Sequence, residues 1–192
     1  MQQRLKQALA QRQTAHIIDA RRVPSAVLIP IYDKQGQYHI LFTKRTEKVK
    51  DHKGQISFPG GAYEKHDETL VNTALRECAE EIGLPAESVE LLGELDDYLT
   101  TTSGYIMSPF VGVIPWPYPL KLDPIEVDKI VEVPISALLD KNYLRQGTDI
   151  LDSQVIPAYF YHYQGEVIWG ATARILNQFL DIVAQVLKDT GE

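Results

Sequence analysis

Cysteine is almost absent. Cys78 is the one thiol in 192 residues, so no internal disulfide can form and stability has to come from a buried core. Long apolar runs are missing too. No stretch approaches the ~20 residues that cross a bilayer, and the opening MQQRLKQALAQRQ lacks the apolar centre of a secretory signal. Both absences point to a reduced, cytoplasmic protein without a membrane partner. Positive charge is in deficit: the formal net charge of −7 argues against nucleic acids and anionic membranes as partners. No internal repeat, low-complexity tract or interdomain linker interrupts the chain, and no Ser/His/Asp or Cys/His arrangement suggests a covalent intermediate. What remains has the composition of one ordinary globular domain, 44% hydrophobic and 23% charged.

Taken in order, residues 3–15 are rich in helix formers, with Leu5, Ala8 and Leu9 as a weak stripe. Residues 1–24 are therefore expected as a helical extension packed on a single domain of 25–192. Apolar stretches at 26–32 and 38–43 flank Asp33-Lys34-Gln35-Gly36 and predict a hairpin. A short strand at Ile56-Ser57-Phe58 should lead into a turn at Pro59-Gly60-Gly61. Val89–Leu95 and Tyr105–Ile114 read as strands across a polar link, 96–104. Residues 115–124, PWPYPLKLDP, are too proline-rich for regular structure. Glu126–Val133 reads as a strand, Pro134–Leu139 as a short helix opened by proline, and 158–163 with 166–169 as a second hairpin. A helix from about Thr172 to Lys188 closes the chain. Strands mixed with a few helices imply an α/β fold with a mixed sheet between helical layers.

The chemistry concentrates in 54–84, GQISFPGGAYEKHDETLVNTALRECAEEIGL. Leu70, Val71, Ala74, Leu75, Cys78 and Ile82 recur at helical spacing, and Gly83 then Pro85 close the helix. Cys78 lies in that stripe and reads as core packing. Glu77, Glu80 and Glu81 fall together on the flank. Three carboxylates so placed repel one another by roughly 0.2–0.5 kcal/mol per pair. A hard cation reverses that cost, since Mg²⁺ prefers oxygen ligands and shares them with substrate phosphates.

The string resembles the Nudix box, G-x5-E-x7-R-E-U-x-E-E-x-G-U, with U a bulky apolar residue. Glu68, Arg76, Glu77, Cys78, Glu80, Glu81, Gly83 and Leu84 fall in place, while Ala62 stands where the pattern has Gly. The loop before Glu68 thus reads as one residue longer than usual. The resemblance implies an α/β/α sandwich and hydrolysis of a nucleoside diphosphate linked to another group. It makes Glu77, Glu80 and Glu81 ligands of Mg²⁺ or Mn²⁺. Glu81, or a carboxylate among Glu126, Asp123 and Asp128, would be the general base. Arg76 keeps its proton, so it is read as orienting the acids, with Glu68 as its structural partner.

Upstream, Lys44, Arg45, Lys48, Lys50 and Lys53 face only Glu47 and Asp51 within 44–53. That local excess suggests a site for anionic groups. Leu-Phe-Thr-Lys-Arg, the Lys/His segment, and Gly54 through Gly61 together resemble the coenzyme A pyrophosphatase branch of the Nudix hydrolases. So do Gly104-Tyr105 through Pro109 and Trp169–Ala173; the likeness spans roughly 25–180. It implies cleavage of coenzyme A, with acyl or oxidised forms as further substrates, to adenosine 3′,5′-bisphosphate and 4′-phosphopantetheine. Arg45, Lys48, Lys50 and Lys53, with Gly60 and Gly61, are the expected substrate contacts, and any one of the four basic residues could serve the 3′-phosphate. Other readings are a Nudix hydrolase of ADP-ribose, dinucleotides or nucleoside triphosphates, and a non-catalytic nucleotide-binding module. Tyr159, Phe160, Tyr161, Tyr163 and Trp169 suit either core packing or a homodimer interface.

Overall fold

The computed structural model describes residues 1–100, 104–151 and 153–188. The helix α1, Gln2–Gln11, comes first. Strands β1 (Val23–Lys34) and β2 (Gln37–Arg45) form the first hairpin. Its two turn residues, Gln35 and Gly36, both have positive φ, the conformation that tight hairpins require. β3 (Ile56–Ser57) and β4 (Gly60–Ala62) lead to α2 (Leu70–Ile82). Then come β5 (Glu90–Glu94), β6 (Tyr98–Leu99), β7 (Tyr105–Val113), β8 (Val127–Pro134) and α3 (Ile135–Leu139). A three-stranded sheet of β9 (Leu144–Leu151), β10 (Gln154–Tyr163) and β11 (Glu166–Ile168) precedes the last helix, α4 (Gly170–Lys188). Among the described residues, no helix is long and apolar enough to cross a membrane.

The eight-stranded main sheet is mixed. β7 runs parallel to β1 from Val23↔Tyr105 to Ile31↔Val113, while β2, β4 and β5 pair antiparallel with their neighbours. Alternation along β1 assigns the two layers. Ala26 and Leu28 pack on Ala74 and Cys78 of α2. Val27, Ile29 and Ile31 face the larger core that takes in Leu5 and Leu9 of α1 and Ile175, Leu176 and Phe179 of α4. Helices therefore cover both faces of a mixed sheet, as expected.

Several boundaries and three elements differ from what the sequence alone predicts. The first helix stops at Gln11, and it packs on the domain through Leu5, which is 0% exposed within the main core. Gly60 and Gly61, expected in a turn, form β4 with Ala62 and pair with β1 through Val27↔Gly60 and Ala26↔Gly61. Glycine permits this: a Cβ on Gly60 would stand 2.3 Å from the Ala26 carbonyl oxygen. Pro134 is the N-cap of α3 rather than its first residue. The polar link 96–104 contains β6, and its residues 101–103 lie outside the described set. Strand β9 was not anticipated at all. Its sequence, LRQGTDIL, is exposed from 145 through 150 and carries no apolar alternation to reveal it. Trp116 of the proline-rich loop stacks on Tyr32 at 4.2 Å, and Leu120 and Leu122 join the same cluster, so this loop is packed down on β1.

Candidate metal and phosphate site

Helix α2 is set by its ends. Thr69 Oγ1 accepts the Asn72 N–H, and Gly83, at φ 69°, takes the left-handed conformation that closes a helix. Between these caps α2 lies along β4 and β1, which puts Glu77 and Glu81 against the Gly60-Gly61 strand. Glu81 is buried, with its side chain 4% exposed, and its Oε2 has no hydrogen-bond partner among the described residues. The Gly60 N–H bonds to the same carboxylate. Burial, then repulsion from Glu77, pushes its pKa up to about 8, against a smaller opposing pull from Arg45. Glu77 is also raised, first by burial, with Arg76 opposing and Glu80 and Glu126 adding repulsion. A Cβ on Gly61 would lie 2.3 Å from Glu77 Oε1. Both glycines thus owe their missing side chains to close neighbours, β1 for Gly60 and Glu77 for Gly61.

Arg76 ties the helix to the loop before it. Its Nη1 donates to Glu77 at 2.8 Å and to Glu80 at 3.0 Å, and its Nη2 donates to the Ala62 carbonyl at 3.0 Å. Its main partner is Asp67: Nε to Oδ1 is 2.8 Å and Nη2 to Oδ2 is 3.2 Å. The expectation that Glu68 fills this role is corrected. Glu68 is exposed, with φ 63°, and turns away, while Asp67 is buried and also accepts from Glu64 N and Thr73 Oγ1. Asp67 stands six positions after Gly61, the interval the box expects between its glycine and its first acid. The extra residue therefore follows the acid instead of preceding it.

The other anticipated residues divide. Arg45 reaches toward Glu81 at 4.0 Å and Glu126 at 3.8 Å, joining two elements far apart in sequence. Glu126 raises the pKa of both Glu77 and Glu81, so it belongs to the same acidic group. Asp123 instead caps the Ile125 N–H at 2.7 Å, and Asp128 is exposed on β8. Glu80 is 59% exposed and drawn outward by Arg76. Lys44 is taken up by Glu166 at 2.9 Å. Lys48, Lys50 and Lys53 are exposed on the loop between β2 and β3. Both ends of that loop are pinned at the site: Arg45 N bonds Gln55 O, Thr46 N bonds Glu126 O at 2.9 Å, and Lys48 Nζ bonds Pro124 O at 3.1 Å.

A model of the NUDIX domain matches residues 22–149. The chain belongs to the Nudix family. Nudix hydrolase NudL of Photorhabdus laumondii, uncharacterized, is 39% identical over 154 residues, 80% of this chain and 81% of that one. Its counterpart in Yersinia pestis is 33% identical over 170 residues, 88% and 84% of the two chains. The crystal structure of a MutT/nudix family protein from Enterococcus faecalis superposes with a TM-score of 0.57 at 16% identity, over 93% of this chain and 71% of that one, and shares its fold. As a Nudix hydrolase the chain acts on pyrophosphate bonds of nucleotide derivatives.

Nudix hydrolases generally use divalent cations, and the residues here suit one. Among the described residues no three acids, histidines or cysteines are already grouped as a cation would hold them, and Arg76 occupies the oxygens that Glu77 and Glu80 would offer. The donors are nonetheless all oxygen, as hard cations prefer. The charged forms of Glu77 and Glu81 are disfavoured by burial and by neighbouring carboxylates, and one buried oxygen lacks a partner among the described residues. A cation beside Glu81 would relieve all three conditions.

Proposed function

We propose that this Nudix hydrolase cleaves the pyrophosphate bond of coenzyme A, releasing adenosine 3′,5′-bisphosphate and 4′-phosphopantetheine. One observation carries the choice of substrate. Three exposed lysines stand on a loop whose ends are fastened beside Arg45, Glu126 and the glycine strand. Pyrophosphate chemistry alone needs charge at the acidic pocket. Further cations on its rim suit a substrate with one more phosphate, and coenzyme A has it on the ribose.

Glu77, Glu80 and Glu81 would hold Mg²⁺ or Mn²⁺, which when bound supplies charge neutralisation on the phosphate oxygens and a more acidic water. The rest falls to the chain. Water forms the new P–O bond as the bridging P–O bond breaks, and its proton passes to Glu81 or Glu126, the two carboxylates that Arg45 approaches. Arg76 positions Glu77 and Glu80 and fixes α2 to the Ala62 carbonyl. Gly60 and Gly61 offer the substrate only backbone. Lys48, Lys50 and Lys53 bind the 3′-phosphate.

The test is a metal-dependent hydrolysis assay on coenzyme A, dephospho-coenzyme A and ADP-ribose, with products identified by mass. Coenzyme A should lead by about 10-fold in kcat/KM, the worth of one charge-assisted phosphate contact. Replacing Lys48, Lys50 and Lys53 together by Gln should erase most of that lead while leaving dephospho-coenzyme A nearly unchanged. Equal rates on all three substrates in the unmodified enzyme would remove the role given to the lysines.

A further inference from the structure

The edge of the second sheet is long, polar and open. All residues from Arg145 to Ile150 in β9 are exposed, and among the described residues the strand pairs on one side only, with β10. Such an edge presents unpaired main-chain groups to any other strand. Two hydrogen bonds identify which groups face outward. Ile150 N donates to the carboxylate of its neighbour Asp149 at 2.8 Å, and Leu144 O accepts from Arg145 Nη1 at 3.1 Å. Thr148, in the same phase, stands opposite Pro157, which has no N–H to offer it. Alternation along a strand then assigns the outer edge to Leu144, Gln146, Thr148 and Ile150. Side chains of adjacent residues cover its two ends for lack of a strand partner.

The sequence of this edge is self-complementary about Gly147. In an antiparallel pairing with an identical strand, centred on that residue, Leu144 meets Ile150, Arg145 meets Asp149 and Gln146 meets Thr148. Apolar falls opposite apolar, cation opposite anion, and polar opposite polar. The register also suits the backbone. Residues 144, 146, 148 and 150 all point their amides outward, so 146 faces 148 and 144 faces 150 as hydrogen-bonded pairs, with Gly147 in the close, non-bonded position between them. Among the described residues, neither Arg145 nor Asp149 has a salt-bridge partner of its own. Ile150 and its partner Val155 on β10 are 65% and 72% exposed.

We infer that the β9 edge is the interface of a two-fold homodimer in which β9 pairs antiparallel with β9 of a second copy, joining two three-stranded sheets into one. A self-complementary strand is what an isologous contact needs, since each residue and its opposite number meet twice. Pairing frees Asp149 and Arg145 from their own backbone to bridge across the axis. It also brings Ile150 of each copy onto Leu144 of the other. Of the aromatic residues anticipated for an interface, Tyr161 is buried and bonds Asn177 at 3.1 Å, while Tyr159 and Phe160 stand on β10 opposite Gln146 and Arg145.

Sedimentation and directed disulfides test this on the full chain. The unmodified protein should sediment as a dimer at tens of micromolar. Arg145→Asp places like charges opposite each other twice, and should raise the dissociation constant by about 10-fold or more. Adding Asp149→Arg to it should restore the dimer. Gly147→Cys should cross-link two copies under mild oxidation, because the close non-bonded position brings Cα atoms within disulfide range. Arg145→Cys should not, since its two copies stand about 13 Å apart in this register. The native thiol will not interfere, as Cys78 is buried. A monomer at these concentrations would overturn the inference. So would a dimer indifferent to Arg145→Asp, or equal cross-linking by both cysteine variants.

Discussion

Replacing Asp67 by Asn should unfold the chain far more easily than replacing Glu68 by Gln, although the sequence pattern singles out Glu68. Asp67 Oδ1 accepts from Arg76 Nε at 2.8 Å, and Oδ2 accepts from Arg76 Nη2, Glu64 N and Thr73 Oγ1. An amide keeps one acceptor oxygen. Whichever way it is turned, its NH₂ confronts a donor, and Arg76 loses its buried counter-charge. Breaking a buried pair costs about 3–5 kcal/mol. Arg76 keeps Glu77 and Glu80 as partners, so the lower end, about 3 kcal/mol, is expected. With a urea slope of about 2.5 kcal/mol/M for a domain of this size, the midpoint should fall by roughly 1 M. Glu68→Gln, on an exposed side chain, should change stability by less than about 0.5 kcal/mol. The effect also carries a pH signature. The Arg76 guanidinium holds the Asp67 carboxyl well below the usual carboxylate range. Its contribution is therefore complete above the unfolded value near ~4 and declines as pH falls toward the folded one. The gap between the native protein and Asp67→Asn should narrow by about 1 kcal/mol at pH 3. A small effect of Asp67→Asn at neutral pH, or an equal effect of Glu68→Gln, would show that Arg76 is anchored by other means.

Glu81→Gln should lower kcat by at least ~10²-fold, the usual scale for one lost transition-state charge interaction, with the melting curve intact; near-normal turnover would move the catalytic centre elsewhere. Gly61→Ala should displace Glu77, since the new methyl would fall 2.3 Å from Oε1, and should cut metal-activated turnover by ~10-fold or more with no loss of secondary structure by circular dichroism. Leu5→Ala should cost about 3 kcal/mol in urea titration, because Leu5 is fully buried. A cost below about 1 kcal/mol would mean that α1 contributes little to the core.

The primary sequence by itself determined the helix that carries the acids, its capping glycine, the first hairpin and the closing helix. Each follows from local chemistry: a 3.6-residue apolar period, a left-handed glycine, a two-residue turn between apolar runs. It also determined that glutamates cluster on one flank of α2, since side-chain direction is set by position within the turn. What only the tertiary structure decided depends on contacts between distant segments. Asp67 rather than Glu68 holds Arg76 because the loop closes by way of Glu64 and Thr73, and a one-residue shift cannot be read from spacing. Glu126 rather than Asp123 or Asp128 adds its charge to that of Glu81 because β8 pairs with β2 and brings the residue before it to Arg45, whereas Asp123 meets Glu81 only through the main chain and spends its carboxylate on the Ile125 N–H. Gly60 and Gly61 form a strand because β1 and Glu77 crowd them, a reason that lies in their neighbours. Strand β9 stayed hidden for the opposite reason. Its hydrogen bonds to β10 define it, and neither face is buried enough to leave a hydrophobic period in its residues.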